Sequence, residues 1–166
     1  MNIPLILFGL IAVALLASWI ASRPRGGLLR PLANIAEGFA PSNKTYLTDS
    51  AISTRFLIAK LGSDVSHVTL AGVNDVPLGV IADEAAAAED AVAVRLFGLQ
   101  GEGGIGVASA AISAGDLLVP AANGKLRTLP GTSGTYYIIG RALKAAGADG
   151  DPIEFVSSFP VQRVVA

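Results

Sequence analysis

The sequence predicts a mainly β fold, a small barrel formed by residues 51–166, and three observations indicate it. Short apolar runs recur from residue 51 onward, bounded by Gly, Asp, Asn or Pro, and several alternate at period two. Glycine (19) and proline (9) are frequent while aromatic residues make up 6%, which suits short strands joined by tight turns. Asn123-Gly124 is a dipeptide typical of a hairpin turn.

The apolar runs give the predicted strands. In chain order they are RFLIAKL, HVTLAGV, PLGVIA, AVAVRLFG, GIGVASA, DLLVPA, KLRTL, TYYIIGRAL and PIEFVSSF. The even spacing of their turn signals indicates a barrel or sandwich with at most one or two short helices.

The first 25 residues are predicted to form a hydrophobic helix or anchor. The run Ile3–Ala21 contains no charged residue, and it is long enough to span a membrane as a helix. Trp19 near its end, followed by Arg23, fits a membrane interface. A cleaved signal peptide fits less well, because no Lys or Arg precedes the apolar run. Two interpretations stay open: an anchor in lipid, and an arm buried against other protein subunits.

Residues 26–50 are predicted to be a linker or extended arm that becomes ordered on a partner. The stretch 22–50 contains three prolines and three glycines, which disfavours a long helix. The chain therefore divides into an anchor at 1–25, an arm at 26–50 and a β-rich domain at 51–166.

Two segments of the β-rich region, residues 78–97 and 139–156, look like copies of one unit. Each reads as strand, glycine, small-residue loop, acidic turn and strand. The matched pairs are Gly79 with Gly140, Asp90 with Asp151, Val92 with Ile153, Val94 with Phe155 and, after a one-residue slip, Ala51-Ile52-Ser53 with Ala111-Ile112-Ser113. We expect both aspartates to accept a backbone N–H at the turn. Two copies are too few for a solenoid, so we predict one pseudo-symmetric barrel.

Charge and composition exclude several classes of function. The net charge is −1, so no global field attracts nucleic acid. The absence of cysteine excludes disulfides, thiolate metal sites and thiol nucleophiles. A single histidine, His67, excludes a two-histidine metal site.

Two motifs invite a ligand-binding interpretation that the spacing does not support. Asp83, Glu84, Glu89 and Asp90 flank a run of four alanines and lack the alternating oxygen ligands of a calcium loop, so we predict a solvated loop. The glycine-rich GEGGIG at 101–106 lacks the Lys-Ser/Thr of a phosphate-binding loop, so we predict a flexible turn.

Catalysis also lacks support in the sequence. His67 with Asp64 or Asp75 and a serine has the composition of a Ser-His-Asp catalytic triad. No G-x-S-x-G elbow is present, so we predict a structural histidine. Tyr136 and Tyr137 are predicted to pack with one side chain in and one out, since no basic patch surrounds them. We therefore predict no enzyme, and no catalytic, cofactor-binding or metal-ligating residue.

Three segments together resemble the phage capsid cement, or decoration, protein family. DVPLGVIADEAAAAEDAVAVRLFG resembles its Pro-apolar-Gly-Val strand with the following acidic turn. AISAGDLLVPAANGKLRTLP is similar to its I-x-A-G-D strand with a Gly-Lys hairpin, and GTYYIIGRALKAAGADGDPIEFV resembles its closing segment. The resemblance covers about residues 51–157, and the first 25 residues have no counterpart in the pattern.

The resemblance implies a structural role and a small β-barrel or tulip-like module. Such proteins lie on the exterior of an icosahedral head, often as trimers, and connect neighbouring major capsid subunits. It therefore implies the major capsid protein as partner, a homo-oligomer with a trimer favoured, and location on the virion. The alternative is a membrane-anchored, non-enzymatic β module of a bacterial cell or lipid-containing virus, with residues 3–21 in contact with the membrane.

Overall fold

The computed structural model describes residues 43–98 and 103–166, and these residues form ten β-strands and one 3₁₀ turn at Ala122–Gly124. The strands are β1 (Asn43–Thr48), β2 (Ile58–Leu61), β3 (His67–Leu70), β4 (Gly79–Ile81), β5 (Ala91–Leu96), β6 (Gly103–Val107), β7 (Leu117–Pro120), β8 (Leu126–Thr128), β9 (Gly134–Ala142) and β10 (Pro152–Val165). Each predicted apolar run overlaps one of β2 to β10, which confirms the mainly β prediction. The first strand, β1, lies within the range predicted as an arm, so the β structure begins before residue 51.

Strands β1 to β5 form a closed barrel in the order β1-β3-β2-β4-β5. All neighbours are antiparallel except β1 and β3, which run parallel and pair Leu47 with His67. Alternating residues of the strands point inward, as the period of two requires. The interior contains Tyr46, Val68, Ile81, Val92 and Val94, all buried.

Strands β6 to β10 form a second sheet in the order β6-β10-β9-β7-β8. Its edge strands β6 and β8 approach each other through a single parallel bridge between Ala108 and Leu126. Its core contains Leu118, Leu126, Ile139, Ile153 and Phe155, each fully buried. The second sheet therefore repeats the pairing of the first, with the parallel pair reduced to one bridge.

The repeat predicted from the sequence is present, but each copy forms its own sheet. In the first sheet Gly79 pairs with Leu96, and in the second Gly140 pairs with Ser157, so both glycines hold the same place in the ladder. The prediction of one barrel made from two halves is wrong. Sequential strands within each copy pair with one another, so no strand of the other copy is needed to complete the sheet.

The matched glycines have a shared steric cause. A Cβ at Gly79 would overlap the carbonyl oxygen of Arg95, and a Cβ at Gly140 would overlap that of Val156. Arg95 and Val156 are themselves equivalent positions of β5 and β10. Only glycine lets the two strands approach this closely.

The acidic turns also repeat. The carboxylate of Asp90 accepts the N–H of Ala87 at 2.9 Å, and that of Asp151 accepts the N–H of Ala148 at 2.9 Å. This confirms the predicted role of both aspartates. The residue before Asp90 is Glu89, which lies in the left-handed region with φ 66°, whereas glycine precedes Asp151.

The two sheets share part of their apolar interior. Ile58, Ala71, Val80 and Phe97 come from the first copy but pack in one cluster with the core of the second sheet. Between β7 and β8 the predicted Asn123-Gly124 hairpin is confirmed, with φ of 58° and 70°. The N–H of Gly124 donates to the carbonyl of Ala71 at 2.8 Å, so the hairpin also connects the two copies.

The glycine-rich motif at 101–106 is a strand where the structure describes it, and the prediction of a turn is wrong there. Its last four residues belong to β6. A Cβ at Gly106 would overlap the side chain of Leu126, and a Cβ at Gly104 would press against the ring of Phe155, so these glycines make room for the large core residues of neighbouring strands. The first two residues of the motif lie outside the described part of the chain.

The predicted N-terminal helix at 3–21 also lies outside the described residues, and so does most of the predicted arm. Within residues 43–98 and 103–166 there is no helix of the length and apolarity needed to cross a membrane.

We expect alanine at either matched glycine to destabilise the fold. Gly79→Ala and Gly140→Ala each force a methyl group against a backbone carbonyl, and we expect each to lower the free energy of unfolding by about 2 kcal/mol. Gly131→Ala is the matched control, because a Cβ there meets nothing within 4 Å, and its effect should stay within about 0.5 kcal/mol. Chemical denaturation of the three variants gives the measurement. Equal stability of all three would contradict the close strand approach.

Candidate interaction surface

The four carboxylates of the acidic loop at 83–90 each contact a different partner. Asp83 accepts the N–H of Ala93 at 3.0 Å, Glu84 pairs with Arg55 at 3.7 Å, Glu89 accepts from His67 at 3.1 Å, and Asp90 accepts the N–H of Ala87 at 2.9 Å. Each carboxylate therefore secures its own part of the backbone or of a neighbouring loop. No group of metal-binding side chains occurs among the described residues.

His67 joins the β2–β3 turn to the β4–β5 turn. One ring nitrogen lies 2.7 Å from a carboxylate oxygen of Asp64, and the other lies 3.1 Å from one of Glu89. The imidazole is 13% exposed, whereas both carboxylates are largely exposed. Of the two aspartates considered in the sequence, Asp64 is thus the one that contacts His67, and Asp75 instead binds Lys60 at 2.8 Å.

The His67 cluster shifts the pKa of two of its members. Hydrogen bonds to Asp64 and Glu89 raise the pKa of His67, and the bond from His67 lowers the pKa of Asp64. Both shifts favour the charged pair. The cluster resembles part of a triad in composition, but its atoms serve to hold two turns together.

A second carboxylate has a comparable structural role in the other copy. Asp116 accepts the hydroxyl of Thr128 at 2.7 Å and the N–H of Ser113 at 3.0 Å. These bonds lower the pKa of Asp116. They fix the start of β7 against the end of β8.

The two adjacent tyrosines differ in burial, as predicted. Tyr136 is buried and Tyr137 is half-buried. The Tyr136 hydroxyl donates to the carbonyl of Thr132 at 3.2 Å, and the guanidinium of Arg127 lies 5.5 Å from the centre of its ring. Such a distance is within the range of a cation–π contact.

The most exposed apolar surface on the second sheet is a two-stranded extension. We call it the C-terminal ribbon: residues 134–138 of β9 paired with residues 161–165 of β10. Between Ser157 and Val161 the register shifts, so three residues of β10 oppose one residue of β9. Phe159 (72% exposed), Val161 (57%) and Val164 (68%) all reach solvent.

The ribbon was not predicted as a site from the sequence. The run PIEFVSSF predicts the buried first half of β10, where burial alternates, but the second half has no such alternation. Four consecutive exposed residues, Val161 to Val164, show that both faces of this half are open. The signal that could have marked it is the end of the period-two alternation while valines still recur at positions 161, 164 and 165.

A second exposed apolar area lies on the first sheet. Leu61 (50% exposed), Val65 (78%) and Val76 (63%) lie at or beyond the ends of β2 and its neighbours. The Lys60–Asp75 ion pair borders them.

Comparison with known proteins identifies the family. Residues 50–157 match the family model described as phage cement protein, so the chain belongs to the phage cement protein family. No curated protein matches the chain. The family places the protein among the structural, capsid-associated proteins of bacteriophages.

The fold is also similar to that of a solved phage structure. The N base of head fiber gp8.5 in bacteriophage phi29 superposes with a TM-score of 0.55 at 20% sequence identity. The match covers 71% of this chain and 94% of that chain. At this identity the likeness is one of fold.

The His67 cluster predicts how stability depends on pH. Since the folded pKa of His67 is raised, its contribution is fully present below the unfolded value of 6.5 and is lost as pH rises through the folded pKa. The lowered pKa of Asp64 adds stability above 3.8 that is lost in stronger acid. We therefore expect the melting temperature to fall between about pH 6 and pH 8.

Two variants test the assignment by thermal unfolding across that pH range. His67→Gln should flatten the fall, and Glu89→Gln should reduce its amplitude while keeping the Asp64 partner. Glutamine, like glutamate, must adopt the left-handed backbone conformation at position 89, so this variant changes only the charge. Parallel profiles for the wild type and His67→Gln would show that the cluster does not control the pH response.

Proposed function

We propose that this protein decorates the exterior of an icosahedral phage capsid and stabilises it by binding across neighbouring major capsid subunits. The observation that carries the proposal is the family match over residues 50–157, which includes β2 to β9 and the first part of β10. We further propose that it acts as a homo-oligomer, with a trimer favoured, and that it has no catalytic role. The distribution of its carboxylates among backbone and turn contacts supports a structural purpose.

The proposed mechanism is adhesion to the assembled state. A composite surface across several capsid subunits exists only in the shell, so a module that binds this surface stabilises the shell and not the free subunits. At about 100 times its dissociation constant, a ligand contributes about 2.7 kcal/mol per site. An oligomer multiplies the effect, because its linked contacts raise the effective concentration of each module.

The folded module suits such a task. Fully buried branched side chains fill the interior of both sheets. The two sheets are connected by shared apolar packing and by the Gly124–Ala71 hydrogen bond. A rigid module loses little conformational entropy when it binds, so more of the contact free energy remains as affinity.

We propose that the N-terminal segment supplies further contacts to neighbours. Residues 26–42 would be an arm that becomes ordered on the shell, and residues 1–25 a hydrophobic anchor among capsid proteins. The apolar run Ile3–Ala21 also favours a second candidate, a membrane-anchored β module, since its length suffices to span a bilayer.

Binding to undecorated heads tests the proposal. Purified full-length protein should occupy the heads in a saturable manner and raise the temperature at which they rupture. A variant lacking residues 1–42 retains β1 and both sheets, so it should still form its oligomer but occupy heads less fully. Occupancy is read from particle composition and rupture from release of the genome.

The same preparation distinguishes the two candidate functions. Phospholipid vesicles serve as the comparison surface for the full-length protein and for the truncated variant. Stable partition of the full-length protein into vesicles, together with failure to bind heads, would favour the membrane-anchored module over the decoration protein.

A further inference from the structure

The C-terminal ribbon combines an open strand edge with exposed apolar side chains. β10 pairs with β6 from Pro152 to Val156, and from Val161 to Val165 its one described neighbour is β9. Along this stretch Val161 and Val164 are exposed, whereas the facing residues of β9 are half-buried or buried. Neither strand of the ribbon has a further partner among the described residues, because β7 pairs with β9 only at Gly140 and Arg141. The side chains of β10 are the more exposed of the two strands, so its edge is the more accessible one for another strand.

Two arginines give the ribbon a positive charge. Arg163 pairs directly opposite Tyr136 in the ladder, so the two side chains share one face of the ribbon. Arg127 lies over the ring of the same tyrosine, and its Nε is buried without a hydrogen-bond partner among the described residues. Within residues 43–98 and 103–166, neither arginine has a carboxylate partner.

The acidic side chains of the protein are committed elsewhere. Every described Asp and Glu has a hydrogen-bond or ion-pair partner within the chain: Asp49, Asp64, Asp75, Asp83, Glu84, Glu89, Asp90, Asp116, Asp149, Asp151 and Glu154. A second copy of the described domain could offer the two arginines only carboxylates that already have a partner within their own chain, whereas a separate acidic segment brings carboxylates without one. The charge on the ribbon therefore favours a different protein as its partner.

We propose that the C-terminal ribbon binds an extended acidic segment of another protein, which adds as a strand to the free edge of β10. Because side chains alternate between the two faces of a strand, the carboxylates of the segment would lie on the face of Arg163 and Arg127 and pair with them, and its apolar side chains would contact Val164 on the opposite face. Because charge-assisted contacts to Arg are directional, the register of the added strand would be fixed by the acidic positions. That the segment belongs to a capsid protein rests on the proposed function.

A peptide assay tests the ribbon without capsids. The probes are fluorescent octapeptides that alternate valine with glutamate, lysine or glutamine, with blocked ends, and binding to the full-length protein is followed by anisotropy. We expect the glutamate peptide to bind at least tenfold more tightly than the other two. N-methylation of alternate backbone nitrogens should remove binding if the peptide adds as a strand. Binding that is unaffected by N-methylation, or equal for the three peptides, would overturn the proposal.

Matched charge reversals locate the site. Arg163→Glu and Arg55→Glu are the same change at two exposed positions, the second on the first sheet beside Glu84. Arg163→Glu should weaken the glutamate peptide at least tenfold, and Arg55→Glu should change it less than twofold. Equal losses would overturn the proposal, and so would a change of oligomeric state caused by Arg163→Glu, which would make the ribbon a contact between copies.

The same variants, bound to undecorated heads, separate the two proposals. If wild-type protein occupies heads and Arg163→Glu occupies them equally well, the ribbon is not the capsid contact although decoration stands. If wild-type protein fails to bind heads but binds the glutamate peptide, decoration fails and the ribbon remains an acidic-segment site. Binding of a single-stranded oligonucleotide as tight as that of the peptide would overturn the choice of a polypeptide partner.

Discussion

The whole architecture depends on one steric constraint, the close approach of two strands at a glycine in each copy. At Gly79 and at Gly140 a carbonyl oxygen of the neighbouring strand occupies the space that a side chain would need. A five-stranded sheet has a short circumference, so it must curve strongly, and the curvature brings adjacent backbones together. With any other residue there, the strand would move outward and the interior would lose its close packing.

This constraint explains why the repeat could be read from the sequence. Each copy needs a glycine for steric reasons and, further along, an aspartate that accepts a turn N–H. The number of residues between these two positions is therefore the same in both copies, whatever residues lie between them. Gly79 with Gly140 and Asp90 with Asp151 show that spacing, and the structure confirms the register that it implied. Strands such as β5 and the first half of β10 could be predicted from their apolar alternation, because each has one buried face.

Other features of the fold and of the ribbon could not be predicted from a sequence pattern. β1 is polar at its start, and its strand conformation comes from pairing with β5 on one side and β3 on the other. The closure of each copy into its own sheet is a long-range outcome, and two matched halves fit one barrel or two equally well. The glycines of β6 resemble a turn in sequence, since the large side chains that they accommodate, Leu126 and Phe155, come from distant positions. Arg127 and Arg163 form part of one surface only because β8 and the ribbon meet at Tyr136.

The turn that precedes each matched aspartate differs between the copies, and the difference has a consequence for how the protein responds to its surroundings. Glycine at 150 adopts the left-handed conformation without strain, whereas Glu89 does so at a cost on the order of 1 kcal/mol. The Glu89 side chain in turn reaches His67, which glycine cannot do. One copy thus has an unstrained turn, and the other has a strained turn that contacts the imidazole of His67. The two halves of a duplicated module are therefore energetically unequal, and only the first copy joins its turn to a histidine whose pKa is raised.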